Sequence, residues 1–234
     1  QLIKVHAEMP SSSRPLYEVL ATGVPSYRNG ILTNADGQHS KELSIFDLVK
    51  AAGGSTAAAA HYWQSELFNQ APYEIKRDRI QHDHKKSIQH GIFYSENQYP
   101  DSHVFADGHY LLHTYQPNLL LIHSMNIDAA GHRYTAVSKE YRKAVNQADQ
   151  LIGLYLHDWL AAGYQVIVTA DHGMDEYGLH GGSMAAHREV PLYIFSDIFP
   201  PDCGIEKMNQ LELAPLICSL LKIDTSERMQ IGRS

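Results

Sequence analysis

Gln165-Val-Ile-Val-Thr-Ala-Asp171-His172-Gly173-Met174 decides how this chain folds. Its apolar run, rich in β-branched side chains, reads as a buried parallel strand. The run leads straight into an acid, an imidazole and a glycine. Neighbours in a regular strand point to opposite faces, so Asp171 and His172 converge only where the strand has given way to a loop. In an open α/β sheet, that loop past the strand's carboxyl end is where ligands bind. A carboxylate and an imidazole there make a half-site for zinc or manganese. A buried ion pair or a capped loop would use the same two residues, and the pair alone leaves both readings open.

Upstream, Asn118-Leu-Leu-Leu-Ile-His-Ser124 reads as a second buried strand, followed by Asn126-Ile-Asp128-Ala-Ala-Gly131-His132. An acid and a histidine four apart share a face of a helical turn, so both reach one ion. Two acid–imidazole pairs, each past the end of a buried strand, are a stronger signal than either alone. Downstream, His180 sits among glycines whose permissive backbone allows close approach to a ligand, with His187 as the competing candidate. Val190-Pro-Leu-Tyr-Ile-Phe195 is a third strand.

Between these lie helices. Residues 138–163 keep a helical period through Tyr141, Val145, Ala148, Ile152, Tyr155 and Trp159, which are expected to face the core. Further helices are expected over 42–52, 105–115 and 210–221. From 68 to about 102 no period holds, which reads as an irregular insertion over one edge of the site. Its basic clusters, Lys76-Arg-Asp-Arg79 and His82-Asp-His-Lys-Lys86, suit a solvated face or an entrance for anionic substrate. Strands alternating with helices give the fold class: one α/β domain over 1–234, with a mostly parallel central sheet flanked by helices.

The 234 residues, 44% of them hydrophobic, suffice for one sizeable core. No apolar run approaches a membrane span. A formal charge of −7 carries no nucleic-acid footprint. Cys203 and Cys218 have neither zinc-ligand nor redox spacing, which favours a reducing, cytoplasmic setting. The 15 histidines make a His-rich metal site affordable.

Near the amino terminus, Leu2 to Met9 reads as a strand. Pro10-Ser-Ser-Ser13-Arg-Pro15 then leads into a short helix closed by Gly23. Ser13 fits an N-cap. The same geometry, with free N–H groups and the positive end of the helix dipole, also favours an alkoxide and a phosphate oxygen.

Taken together, Pro10-Ser-Ser-Ser13-Arg-Pro15…Thr22-Gly23…Gly30-Ile31…Asn34, Asp128-x-x-Gly-His132, Thr169-Ala-Asp171-His172-Gly173-Met174, His180-Gly-Gly and Val190-Pro-Leu resemble the alkaline phosphatase superfamily, in particular its nucleotide pyrophosphatase/phosphodiesterase branch. The resemblance implies a metal-dependent phosphodiesterase acting on a small phosphorylated substrate. It places the nucleophile at Ser13 and a phosphoryl-binding amide at Asn34. It implies two divalent ions, zinc first and manganese as the alternative. Asp128, His132 and His180 match the ligands of one ion; Asp171, His172 and the Ser13 oxygen match those of the other. Ser13 would attack phosphorus in line, giving a phosphoryl-enzyme that water then opens. A serine hydroxyl needs its pKa lowered to act so, and a divalent cation does that.

Three departures from the family pattern bear on function. The family's second ion has a further aspartate at the end of a first strand, and the only acid before Ser13 here is Glu8. That strand and its aspartate are expected to precede Gln1, leaving a central sheet position empty. The residue after the nucleophile, an aromatic in nucleotide-cleaving relatives, is Arg14, which suits an anionic group; Phe93 and Tyr94 are alternative stacking surfaces. A sulfatase is disfavoured, because Ser13-Arg-Pro-Leu-Tyr17 has the proline of its C/S-x-P-x-R motif but lacks the arginine. A phosphonate or phosphomonoester hydrolase on the same core, and a non-catalytic metal-binding relative, are the competing expectations.

Overall fold

The structure, a computed structural model, describes residues 2–199 and 204–229; Cys203 lies outside them. In chain order the elements are β1 (Leu2–His6), α1 (Ser13–Thr22), α2 (Ser26–Asn29), α3 (Ile45–Ala51), β2 (Thr56–His61), α4 (Tyr62–Phe68), α5 (Ile75–Asp78), β3 (Ile80–His82), β4 (His90–Tyr94) and α6 (Asp101–Tyr115). There follow β5 (Leu119–Ile122), α7 (Asn126–Tyr134), α8 (Lys139–Ala161), β6 (Val166–Thr169), α9 (Ala185–Arg188), β7 (Glu189–Phe195), β8 (Lys207–Asn209), a 3-10 turn (Gln210–Glu212) and α10 (Leu213–Leu221). No helix among the described residues is long and apolar enough to cross a membrane.

The parallel core is β4-β2-β5, with β3 added antiparallel at its edge. Helices cover both faces, and the four alanines of β2 show how. Ala57 and Ala59 pack against Val104 and Leu111 of α6 on one side. Ala58 and Ala60 pack against Phe46, Leu67 and Cys218 from α3, α4 and α10 on the other. Small side chains on both faces let helices approach the sheet closely, as in other doubly covered sheets.

A second four-stranded sheet, β6-β7-β1-β8, lies beyond it. Here β6 is antiparallel to β7 and half-buried, although its apolar run alone predicts a buried parallel strand; β5 is half-buried as well. An apolar run gives neither the direction of the neighbouring strand nor how fully it is covered. Among the described residues, both β5 and β6 are edge strands, each without a strand partner on one side. Both line one cavity of about 890 Å³, together with Tyr17, Leu20, Leu213 and Ile217. The two loops that carry the acid–imidazole pairs start from its two walls.

Two further expectations are corrected. Residues 68–102 are not irregular throughout, since β3 and β4 extend the parallel sheet. Their pattern is hidden because β4 is buried on both faces and so does not alternate. Polar side chains nearby satisfy one another instead, with Asn69 Nδ2 donating to Gln81 Oε1 (2.6 Å) and Gln81 Nε2 to Ser65 Oγ (3.0 Å). In α8, Val145 is 40% exposed, while Ala144 and Ala148 turn inward.

Candidate metal and nucleophile site

Ser12, not Ser13, is the N-cap of α1, and its side chain makes no capping bond. That leaves Ser13 in the first turn, 4% exposed, with its hydroxyl 3.1 Å from His172 Nε2. Asn34 stands beside it, its Oδ1 accepting the Arg14 N–H at 2.9 Å. The atom that accepts an N–H must be oxygen, so the NH2 end of Asn34 is left as a donor.

Asp128 and His132 lie a turn apart on α7, as the spacing requires. His132 Nδ1 lies 2.9 Å from the Gly178 carbonyl, and His180 Nδ1 lies 3.0 Å from the Ser11 carbonyl. A carbonyl oxygen only accepts, so both Nδ1 atoms carry hydrogen and both Nε2 atoms carry lone pairs. Those two lone pairs face each other at 3.1 Å. Asp128 Oδ1, buried and without a hydrogen-bond partner, stands 3.5 Å from one Nε2 and 3.8 Å from the other. Three acceptors converging without a donor repel one another unless a cation sits among them. Asp128, His132 and His180 thus form a group with the proximity needed to hold a metal ion. Burial, and next the His172 ring stacked 3.8 Å away, hold the His180 imidazole below its ordinary pKa, in the neutral form that binds metals.

A similar convergence involves Asp171 and His172. His172 Nδ1 is 2.9 Å from the Gly173 carbonyl, so its Nε2 lone pair faces outward. Asp171 Oδ2 lies 3.3 Å from that Nε2, on the side where the Ser13 hydroxyl also approaches. A nitrogen lone pair, a carboxylate and a hydroxyl oxygen meet there. Of the sequence-derived residues, Ser13, Asp171 and His172 therefore come together, as do Asp128, His132 and His180, and the stacked rings of His172 and His180 join the two groups.

His187 is elsewhere. Its Nδ1 accepts the Gly182 N–H (3.1 Å), so its Nε2–H donates to Asp175 Oδ2 (3.1 Å). Its carbonyl accepts the Gly173 N–H at 2.8 Å. Asp175 in turn accepts from the backbone of Tyr177 and Leu179. The pair thus braces both ends of the loop that presents the Gly178 carbonyl and His180. That loop lies against α7: at Gly178, with φ of 77°, an added Cβ would come 2.6 Å from the Gly131 carbonyl oxygen.

Arg14 does not face a ligand. It is 3% exposed, paired with Glu66 at 2.7 Å, donates to the Asp36 carbonyl, and lies 4.7 Å from the Trp63 ring centroid. Phe93 and Tyr94 are buried in the core and offer no stacking surface. Of the basic clusters, Arg77 is taken by Asp78 and Glu74, and Arg79 donates to the Phe93 carbonyl and the Tyr99 hydroxyl. They brace the surface, as the solvated-face reading expects.

Two contributors were not singled out from the sequence. Tyr17, one turn after Ser13, is fully buried beside it. Burial raises its hydroxyl pKa, and the nearby Asp171 and Asp128 carboxylates raise it further. Its i, i+4 spacing from Ser13 was the available signal. Ser11 holds His180 through its carbonyl and Gly181 and Gly182 through its hydroxyl. Nothing in its sequence context distinguishes it from its serine neighbours.

Residues 3–184 match the family model described as Type I phosphodiesterase / nucleotide pyrophosphatase. A segment of 89 residues is 33% identical to GPI ethanolamine phosphate transferase 1 of Emericella nidulans, covering 36% of this chain and 10% of that protein. Another, of 76 residues, is 34% identical to human ectonucleotide pyrophosphatase/phosphodiesterase family member 7, covering 30% of this chain and 16% of that protein. The chain therefore spans only a small part of the length of these relatives. Murine ectonucleotide pyrophosphatase / phosphodiesterase 5 has the same fold, with a TM-score of 0.77 over 100% of this chain and 89% of that one at 13% identity. That protein has also been solved in complex with AMP.

Proposed function

Because the chain belongs to the type I phosphodiesterase / nucleotide pyrophosphatase family, we propose that it is a divalent-metal-dependent phosphodiesterase of small phosphorylated substrates, with Ser13 as nucleophile. Asp128, His132 and His180 would hold one ion, and Asp171, His172 and Ser13 the other. The imidazole-rich donor set favours zinc, with manganese as the alternative. Bound there, such ions supply Lewis-acid polarisation of a phosphoryl oxygen and lower the pKa of a serine hydroxyl.

The rest falls to the side chains. Ser13 presents its oxygen from the first turn of α1, where free N–H groups favour negative charge on the nucleophile and on a phosphoryl oxygen. Asn34 offers its NH2 end to a second phosphoryl oxygen. Tyr17, one turn along α1 from Ser13 and with its hydroxyl donating to Met125 Sδ at 3.4 Å, packs beside the nucleophile. Attack forms a Ser13–phosphorus bond as the bond to one ester oxygen breaks and that substituent leaves; water then cleaves the seryl ester. Beside Arg14, the half-buried Trp63 and Tyr62 bring aromatic surface near the nucleophile, suited to an organic substituent on phosphorus.

One observation carries this reading: the lone pairs of His132 and His180 and a carboxylate oxygen of Asp128 converge with no donor among them. Turnover of bis(4-nitrophenyl) phosphate by zinc-loaded parent and Ser13→Ala proteins tests it. Loss of turnover with the ion at Asp128, His132 and His180 retained supports the proposal. Parental turnover by Ser13→Ala overturns it. Faster cleavage of a 4-nitrophenyl monoester or of a phosphonate would shift the assignment to those substrates, and absence of turnover with at most one bound metal to a non-catalytic relative.

A second reading is favoured by the aligned segment of a GPI ethanolamine phosphate transferase: transfer of the phosphoryl group from Ser13 to an alcohol instead of water. Adding glycerol to the assay separates the two. A phosphorylated glycerol product in excess over the hydrolysis product assigns the transferase.

A further inference from the structure

We propose a separate transition-metal site formed by His82 and His90, with His84 as a third ligand, at the edge of the β3–β4 pair. His82 and His90 are direct cross-strand partners in the antiparallel ladder. Their Nδ1 atoms face each other at 3.4 Å. That is long for a nitrogen–nitrogen hydrogen bond, since N–H donors usually lie within about 3.2 Å of their acceptor. It agrees with the edge of a tetrahedron around zinc, which for Zn–N bonds of about 2.1 Å comes to about 3.4 Å.

Both rings are held in place by one side chain. Tyr115 stacks on His90 at a centroid distance of 3.9 Å and an interplanar angle of 11°. Its hydroxyl lies 3.3 Å from His82 Nε2, the nitrogen turned away from His90. A hydrogen-bond partner on the far nitrogen is what commonly orients a metal-binding imidazole. His90 is buried at 6% exposure, so its ring has little room to turn.

His84 stands edge-on to the His90 ring, centroids 5.3 Å apart. Its turn is tied down by Asp83 N–H to the Gln89 carbonyl and Lys86 N–H to the Asp83 carbonyl. The His84 side chain is exposed and would reach the pair by turning about its own side-chain bonds. Of the two nearby lysines, Lys86 points its ammonium at the Asn69 carbonyl and Gln70 Oε1, and Lys85 is exposed. The fourth position would open to water. Imidazole donors suit zinc, nickel and copper. The ion would clip the three-residue strand β3, an edge strand paired with β4 alone among the described residues, to the sheet.

This site shares no residue with the proposed catalytic centre, and its test does not depend on phosphoryl chemistry. Chelated protein is reloaded in micromolar buffered zinc, and zinc per chain is counted by plasma mass spectrometry. In an Asp128→Asn/His180→Ala chain, the metal at this site should persist; adding His82→Ala should remove it. His82 is exposed, so this change leaves the fold intact, which circular dichroism checks. With copper, the electron paramagnetic resonance spectrum should show coupling to at least two imidazole nitrogens, lost in His82→Ala. His84→Ala should weaken binding several-fold without abolishing it. Equal metal content with and without His82→Ala, or a copper spectrum lacking nitrogen coupling, overturns the proposal.

Discussion

His132 and His180 aim their Nε2 atoms at each other across 3.1 Å, while a backbone carbonyl holds the opposite nitrogen of each ring. Neither ring turns to relieve the contact without giving up its carbonyl bond. The pair is therefore set for a shared cation, with Asp128 supplying negative charge. Asp128→Asn keeps the shape and removes the charge. It should lower zinc affinity by at least about tenfold, the lower end for losing even a supporting metal contact, while raising the thermal stability of the metal-free protein, because the amide NH2 gives the two imidazole lone pairs a donor. Calorimetric zinc titration and a melting curve in chelator check both halves.

The two ions should bind unequally. On the proposed assignment and among the described residues, one position draws on two imidazoles and a carboxylate, whereas the other has one imidazole, one carboxylate and a hydroxyl. Fewer strong donors mean weaker binding. Competition with a graded series of chelators should release one zinc well before the other. Ser13→Ala should move only the early-released ion.

His187 should matter for metal binding without touching the metal. It joins Gly182, Asp175 and Gly173, and so sets where His180 and the Gly178 carbonyl stand. His187→Ala should cost about 10- to 100-fold in zinc affinity, the range for partners that orient a ligand. His187→Gln, which both accepts and donates, should restore part of it. A purely structural role would lower the melting temperature of both variants alike and leave zinc affinity untouched in what remains folded.

Glu18, on the inward face of α1, has a carboxyl pushed up to about 8, chiefly by burial, with only the Ser40 hydroxyl bonded to it. In the unfolded chain it titrates near its ordinary value. Its folded pKa is raised, so the stability it allows is fully present at acid pH and is lost as pH climbs from the ordinary carboxylate range through about 8. Glu18→Gln mimics the protonated form. Its melting temperature should come closest to the parent's near pH 4, below the unfolded carboxyl's ordinary value, and exceed it at pH 8, measured in chelator so that metal binding does not enter.

Much of this protein is legible in its amino-acid order, because the deciding signals are local. The Val166–Thr169 run ending in Asp171-His172, the four-residue spacing of Asp128 and His132, and the serine cluster before α1 each involve neighbours along one element. Short-range sterics and periodicity govern such patterns, so sequence reasoning locates the strand ends and names their candidate ligands. The buried strand β4 escaped it, since a strand covered on both faces has no alternation to read.

What tertiary structure alone decided are matters of which distant segments meet. His180 and His187 look alike in sequence, yet one meets Asp128 across the fold and the other turns to Asp175. Arg14 reads as a ligand for anions until Glu66 and Trp63 arrive to occupy it. His82 and His90 become a pair only through strand register and a tyrosine from α6. The physical reason is the same throughout: a side chain's chemistry is encoded in its type, but its partner depends on packing that brings remote backbone together, and no local preference specifies that.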